Sequence, residues 1–248
     1  VILYWAWPPD GAGHAAKAAA ICRHLTNDVL VIRGTDDPRT NMALDHFGIP
    51  YTVIERKAEA AQFVYDNHRF DFIVYDDYPG TKFDRYANLY IWRMNRRNRM
   101  GGVPTIRVEG AGSMWPVLML EDHEILSRED ARDALGIPQD QFTIIGVTST
   151  ARPGVVEAAG PDFLLTPENF WPALKYLRAA DHIVGCIGYN LYAEVKYLGI
   201  DVTWIKAPNS PDQAIRMFDQ FDMEPRVGVG REIAAMIDEM HGQGVMPR

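Results

Sequence analysis

Short, continuous apolar runs alternate along this chain with stretches of helical spacing. The runs Ile2 to Ala6, Val29 to Ile32, Tyr51 to Ile54, Phe72 to Tyr75 and Thr105 to Val108 are apolar at successive positions. That is the pattern of strands covered on both faces. Between them, Ala18, Ile21, Cys22 and Leu25 share one face of a first helix, and Phe83, Tyr86, Ala87, Tyr90, Ile91 and Met94 share one face of a long later helix. Strand and helix in alternation predict a parallel, doubly wound α/β unit over residues 1–125.

The pattern changes at Leu126. Ser127 followed by Arg128-Glu129-Asp130 reads as a helix N-cap with acids in the first turn, and Gly136-Ile137-Pro138 as its stop. Residues 126–140 are therefore expected to connect two units. Beyond them, strand-like runs at Phe142 to Val147, Asp162 to Leu165, His182 to Cys186 and Val202 to Ile205 alternate with helices around Leu174 to Ala180 and Leu191 to Leu198. Residues 141–248 thus form a second, smaller unit of the same kind. It closes with an amphipathic helix from Gly230 to Met240 that could pack on either unit.

Composition narrows the class. With 248 residues, 47% hydrophobic and 23% charged, the chain can bury roughly 70% or more of its unfolded surface, and it has neither a disordered nor a fibrous signature. Cys22 and Cys186 have no metal or redox spacing and read as buried thiols. No stretch approaches the roughly 18 apolar residues of a membrane span, and the opening residues lead straight into a strand. A cytoplasmic protein with no stable membrane insertion is the expectation. A net charge of −8 argues against a surface given over to nucleic acid. It leaves room for a local basic patch at Arg93, Arg96 and Arg97, which is either a solvated helix end or an acceptor-side contact.

Chemistry enters at two glycine turns, one per unit. Gly11-Ala12-Gly13-His14 follows the first strand, and Gly188-Tyr189-Asn190 follows the strand His182 to Cys186. Each opens a helix, whose free N–H groups and positive dipole end favour an anion that glycine allows to come close. Two such turns suggest two Rossmann-like lobes with parallel sheets facing a central cleft. Asp36-Asp37 and Asp76-Asp77 are adjacent acids pointing to opposite faces rather than a ligand set, so neither a metal site nor a bound cofactor is expected.

The opening strand and glycine turn, and above all the stretch from Leu177 to Gln213 with Gly188, Glu194, Gly199 and Asp212-Gln213, resemble nucleotide-sugar glycosyltransferases of the two-lobed GT-B type. They are most similar to the branch of the lipid-linked N-acetylglucosaminyltransferase of cell-wall synthesis. The second lobe is short for that family, and Asp212 stands where a histidine is common. The resemblance implies metal-independent, inverting transfer of a sugar from a nucleoside diphosphate sugar, with a UDP-sugar the expected donor, to an acceptor hydroxyl. It further implies that Glu194 accepts from ribose hydroxyls and that Asp212 and Gln213 reach the sugar. Gly188, Tyr189 and Asn190 would present N–H groups to the diphosphate, with Ser149 or Arg152 closing over it. His14 would be the general base, beside Gly11 and Gly13 on the acceptor side.

Each of these residues has a plainer alternative. Glu194 could be a surface helix residue, Asp212-Gln213 part of a turn, and His14 a helix cap. Asp77, a second base candidate, could cap a helix. The acceptor is open among a small molecule, a lipid-linked glycan and a hydroxylated base in DNA, the last as in phage DNA modification. Three other functions remain. An NAD-dependent oxidoreductase would use Gly11 to Ala16 as GxGxxA with Asp36 or Asp37 about 20 residues on. The others are a sugar-nucleotide epimerase and a catalytically silent nucleotide-binding module.

Overall fold

A computed structural model describes residues 1–7, 12–67, 69–76, 87–92, 103–108, 116–148, 153–205 and 224–244. Its first sheet has six parallel strands: β1 (Ile2–Trp5), β2 (Val29–Arg33), β3 (Tyr51–Val53), β4 (Phe72–Tyr75), β5 (Leu89–Trp92) and β6 (Thr105–Arg107). Their spatial order is β3-β2-β1-β4-β5-β6. Helices α1 (Gly13–Cys22), α2 (Pro38–His46) and α3 (Lys57–Asp66) cover it on both faces. Side chains alternate as a pleated strand requires: Ile2, Tyr4 and Val74 enter the core containing α1 and α2, while Leu3, Trp5 and Tyr75 enter the one containing α3.

The second sheet has four parallel strands, β7 (Ile144–Val147), β8 (Phe163–Leu165), β9 (His182–Cys186) and β10 (Val202–Ile205), in the order β10-β9-β7-β8. Helices α4 (Arg128–Leu135), α5 (Pro153–Glu157) and α6 (Tyr189–Leu198) belong with it. Ser127 caps α4 by accepting from the Asp130 N–H, and Gly136 ends it in the left-handed conformation, as the sequence indicates. The α4 residues Ala131 and Leu135 lie in the same core as Ile145 of β7 and Ile183 of β9.

The chain crosses between the two cores in four residues. Val117 and Met119 enter the first core, and Leu118 and Leu120 the second. A segment whose side chains alternate in this way can serve two cores at once, because each faces one side of it. The following turn, Asp122–Glu124, is tied to both lobes. Arg23 grips Glu124 with both guanidinium nitrogens, at 2.8 and 3.0 Å, while Arg178 and Tyr197 reach Asp122.

Two expected helices are not helices. Leu89–Trp92 is a central strand between β4 and β6 rather than part of a helix running through Phe83 and Met94. Four large apolar residues in a row fit either periodicity, and Leu89, Tyr90 and Ile91 are buried on both faces, which selects the strand. The segment Leu174 to Ala180 forms two 3-10 turns, Ala173–Lys175 and Leu177–Ala179. The N–H groups of Tyr176, Ala179 and Ala180 donate three residues back, to the carbonyls of Ala173, Tyr176 and Leu177, while Arg132 Nε and Arg128 donate to the carbonyls of Ala179 and Ala180 that end the segment. Among the described residues no helix is long and apolar enough to cross a membrane. Cys22 and Cys186 are buried free thiols.

The terminal helix, α7 (Val229–Gly242), packs on the first lobe. Ile233, Ala234 and Ile237 join the core of α1, and Asp238 accepts from Thr26 and Asn27. The helices approach so closely at Gly230 that a Cβ there would run into the Ala20 carbonyl. Gly230→Ala is therefore expected to cost about 1–3 kcal/mol in urea unfolding. Gly242→Ala, at a position of the same helix with open space around it, should change stability by less than about 0.5 kcal/mol.

Candidate functional site

In a doubly wound sheet a crevice opens where successive strands depart to opposite sides, beyond their carboxyl ends. The two sheets have such points between β1 and β4 and between β7 and β9. The helix leaving β1 is α1, which carries His14, and the helix leaving β9 is α6, which carries Glu194.

Residues opposite one another on β1 and β4 continue from the pair Trp5 and Tyr75, so Asp76 emerges beside Ala6, at the start of α1. Its carboxylate is 1% exposed. Oδ1 accepts from the Lys17 ammonium at 2.7 Å and pairs with His14 Nδ1 at 3.1 Å, and Oδ2 accepts from the Tyr4 hydroxyl at 3.2 Å. His14 and Lys17 are three residues apart on α1 and so share a face. Burial alone would raise the Asp76 carboxyl, but the Lys17 ammonium and the His14 imidazole outweigh it and hold the group well below the usual carboxylate range. An ionised Asp76 only accepts, so Nδ1 of a neutral His14 must be the protonated nitrogen, which leaves Nε2 with its lone pair.

The second crevice meets the first through Tyr189, the first residue of α6. Its hydroxyl donates to the Val108 carbonyl and accepts from the Val117 N–H, both at 2.9 Å. Its ring lies in the first lobe's core, with Lys17 Nζ 5.9 Å from the ring centroid. The N-terminus of α6 is thereby anchored next to the Asp76 cluster. Gly188 precedes α6 with φ −75° and ψ 160° and supplies no side-chain cap. That conformation suits any residue, and among the described residues a Cβ would meet only the Cys186 carbonyl oxygen, 3.9 Å away. Asn190 follows in the first turn.

Glu194 lies one turn further along α6. It is 7% exposed, has no hydrogen-bond or ion partner among the described residues, and burial pushes its carboxyl up to about 7. Ionising it in the empty protein therefore opposes folding. Gly13 is the first residue of α1, whose N-cap, Ala12, has no side-chain cap either. Gly11, Asp77, Arg93, Arg96, Arg97, Ser149, Arg152, Asp212 and Gln213 lie outside the described residues.

No protein-family model matches the sequence, and no curated protein matches it. Solved structures do match. HepE of Anabaena, in complex with UDP-glucose, aligns over 99% of this chain and 91% of its own, at 15% identity and a TM-score of 0.53. The glycosyltransferase SnogD of Streptomyces nogalater aligns over 99% and 96%, at 11% identity and a TM-score of 0.51. The fold is that of the GT-B glycosyltransferases. MurG of Acinetobacter baumannii also aligns, over 98% and 94%, at 13% identity and a TM-score of 0.48.

Within this GT-B fold, three residues of the cluster were not singled out from sequence: Asp76, Lys17 and Tyr4. A signal existed for Lys17. The helix Gly13–Cys22 is small or apolar all round apart from His14 and Lys17, the mark of a fully buried helix, and buried polar groups need partners. Asp76 becomes visible once β4 is placed beside β1. The side-chain role of Tyr189 carries no sequence signal.

The raised Glu194 carboxyl sets a pH dependence. Its folded value lies above its unfolded one, so the protonated form favours the folded state below about pH 4.5 and that advantage is lost as the pH rises through 7. Glu194→Gln is expected to raise the stability of the ligand-free protein at pH 8, by up to about 3 kcal/mol, and to leave it unchanged at pH 4. Thermal unfolding across that range measures it.

Proposed function

We propose that this protein transfers a sugar from a nucleoside diphosphate sugar, a UDP-sugar, to an acceptor hydroxyl, with inversion and without an obligatory divalent cation. The observation that carries the reading is the approach of the two crevices: a carboxylate-oriented histidine on one side, and on the other a helix N-terminus with a buried carboxylate that has no partner among the described residues. The GT-B fold, shared with a protein whose structure holds UDP-glucose, supports the donor class.

In this scheme the donor lies along α6. Glu194 accepts from the two ribose hydroxyls, whose cis spacing matches its two oxygens, and in doing so receives the partners it lacks. The diphosphate sits before α6, where the N–H groups from Tyr189 and Asn190 onward and the helix dipole stabilise the charge that develops as it leaves. Ser149 and Arg152 close over it, and Asp212 and Gln213 hold the sugar. The acceptor enters from the side of His14; Gly11, Gly13, Arg93, Arg96 and Arg97 are assigned to the acceptor and Asp77 is the second base candidate.

The chemical step is a single displacement. The acceptor oxygen attacks the anomeric carbon and gives its proton to His14 Nε2, while the bond from the anomeric carbon to the diphosphate oxygen breaks on the opposite face. Asp76 holds the ring in the required tautomer and stabilises the imidazolium that forms. A single base facing an anomeric carbon fits inversion. The position that an NAD-binding acid occupies, near the end of β2, here holds Arg33, which donates to Asn41 and to the Ala6 carbonyl. Asp37 is engaged as the cap of α2. These features favour the transferase over the dinucleotide reading.

The test is a thermal-shift panel of UDP, GDP, ADP, TDP, CMP and NAD(H), with magnesium or with EDTA. UDP at about one hundred times its dissociation constant should stabilise the protein by roughly 2.7 kcal/mol in EDTA, and Glu194→Ala should abolish the shift. Stabilisation by NAD(H) alone would overturn the reading. With a UDP-sugar and a competent acceptor, His14→Ala should lower kcat by about 100- to 10,000-fold while UDP still binds.

A further inference from the structure

Two lobes joined by short chain crossings move against each other by default, because the surface between them is usually small and polar. Here the side chains of one lobe pack into the core of the other. Tyr189 belongs to α6 of the second lobe, yet its ring is 4% exposed and lies among first-lobe core residues, and its hydroxyl holds the backbone of Val108 and Val117. Trp171, from the loop after β8, also packs on the first core, edge-on to His46 at the end of α2, with ring centroids 5.3 Å apart. Phe47, which follows α2, packs against both cores and carries the Arg23 guanidinium 4.1 Å from its ring centroid.

These contacts meet the first lobe at separate places. Tyr189 lies by Lys17 and Phe47 by Arg23, roughly 9 Å apart along α1. A body held at two points cannot tilt about one without pulling the other free. The chain crossings add a third point. Glu121, just after the first crossing, is 7% exposed; its Oε1 pairs with His24 Nε2 at 3.3 Å and its Oε2 with Arg231 of α7 at 2.9 Å. The chain returns at Gly228, where Val227 packs on the second core and Val229 on the first. Gly228 has a φ of 83°, and a Cβ there would lie 3.9 Å from Glu121 Oε2. One carboxylate thus ties both crossings to the end of α1. Tilting the lobes apart would break both Tyr189 hydrogen bonds and expose aromatic rings, which bury on the order of 150–250 Å² each when enclosed.

We propose that these rings lock the two lobes into one preset cleft: the angle between the lobes is the same in the empty and the nucleotide-bound protein, and Tyr189 is a positioning residue that keeps the start of α6 aligned with α1 before a ligand arrives. The lock stands on the contacts between the lobes; its consequence, a diphosphate aligned with His14, rests on the glycosyl-transfer reading.

Distances between nitroxide labels, measured by double electron–electron resonance on the full chain, test the lock. Ala58→Cys on α3 and Ala134→Cys on α4 give exposed labelling sites on the two lobes, while Cys22 and Cys186 are buried and stay unlabelled. The ligand-free protein should show one narrow distance, and UDP, at a concentration that gives a thermal shift, should move it by less than about 2 Å. Tyr189→Phe keeps the ring and removes both hydroxyl bonds, and it should broaden the distribution; Trp171→Ala should broaden it as well. Two populations in the ligand-free wild type, a larger movement with UDP, or a distribution that neither variant changes overturns the proposal. If Tyr189→Phe does not fold, the wild type with and without UDP and Trp171→Ala decide it. In transfer assays Tyr189→Phe should lower kcat by about 10- to 100-fold while UDP still stabilises the protein, and an unchanged kcat in the loosened variant would remove the positioning role. A narrow distance that the variants broaden, in a protein that binds no nucleotide, would uphold the lock and remove the glycosyl-transfer reading instead.

Discussion

A carboxylate buried at the end of a central strand has to be neutralised, and the geometry of the first lobe follows from how Asp76 achieves this. Its Oδ1 is shared between an ammonium and an imidazole and its Oδ2 receives a tyrosine hydroxyl, so three elements, β1, α1 and the end of β4, are locked to one another by a single side chain. Leaving the ammonium out would strand a buried charge, which costs several kcal/mol. The same contacts aim the histidine ring. A stabilising network and a candidate reactive group are thus one structure, and the tautomer of that ring follows from how the charge is satisfied.

The second lobe solves the opposite problem. Glu194 is buried on α6 without a partner among the described residues, and at Gly188 the packing of those residues would accept a larger side chain. These are local costs in the empty protein, and a ligand that supplies hydroxyl donors and a negative group would remove both. Tyr189 joins the two lobes. By spending its hydroxyl on the backbone of residues 108 and 117, it holds the start of α6 against the cluster on α1. The alternating segment 117–120 and the ionic ties of Asp122 and Glu124 support that alignment from behind.

Much of this architecture is legible in the sequence, for a physical reason. Strands covered on both faces must be apolar at every position, so β1, β2, β4 and the four strands of the second sheet stand out. The same rule hides β5, because Leu-Tyr-Ile-Trp satisfies a helical face as well as a strand, and only its neighbours in the sheet decide. The turn at Gly188 and the carboxylate at Glu194 are legible through their spacing from the preceding strand. Asp76 is not, because next to Asp77 it reads as one of two adjacent acids pointing to opposite faces. Its meaning depends on strand order, a long-range property. Lys17 is a subtler case: a lysine among alanines suggests solvent, whereas the all-round small and apolar character of its helix points to the interior.

The central claim is that the crevices at α1 and α6 form one site for a nucleotide sugar. A crystal structure of the protein with UDP tests it most directly. The account predicts both ribose hydroxyls within hydrogen-bonding distance of Glu194, the diphosphate before the N-terminus of α6, and its terminal phosphate facing His14. UDP bound elsewhere, or a ribose lying against Arg33 at the end of β2 with Glu194 untouched, would contradict it.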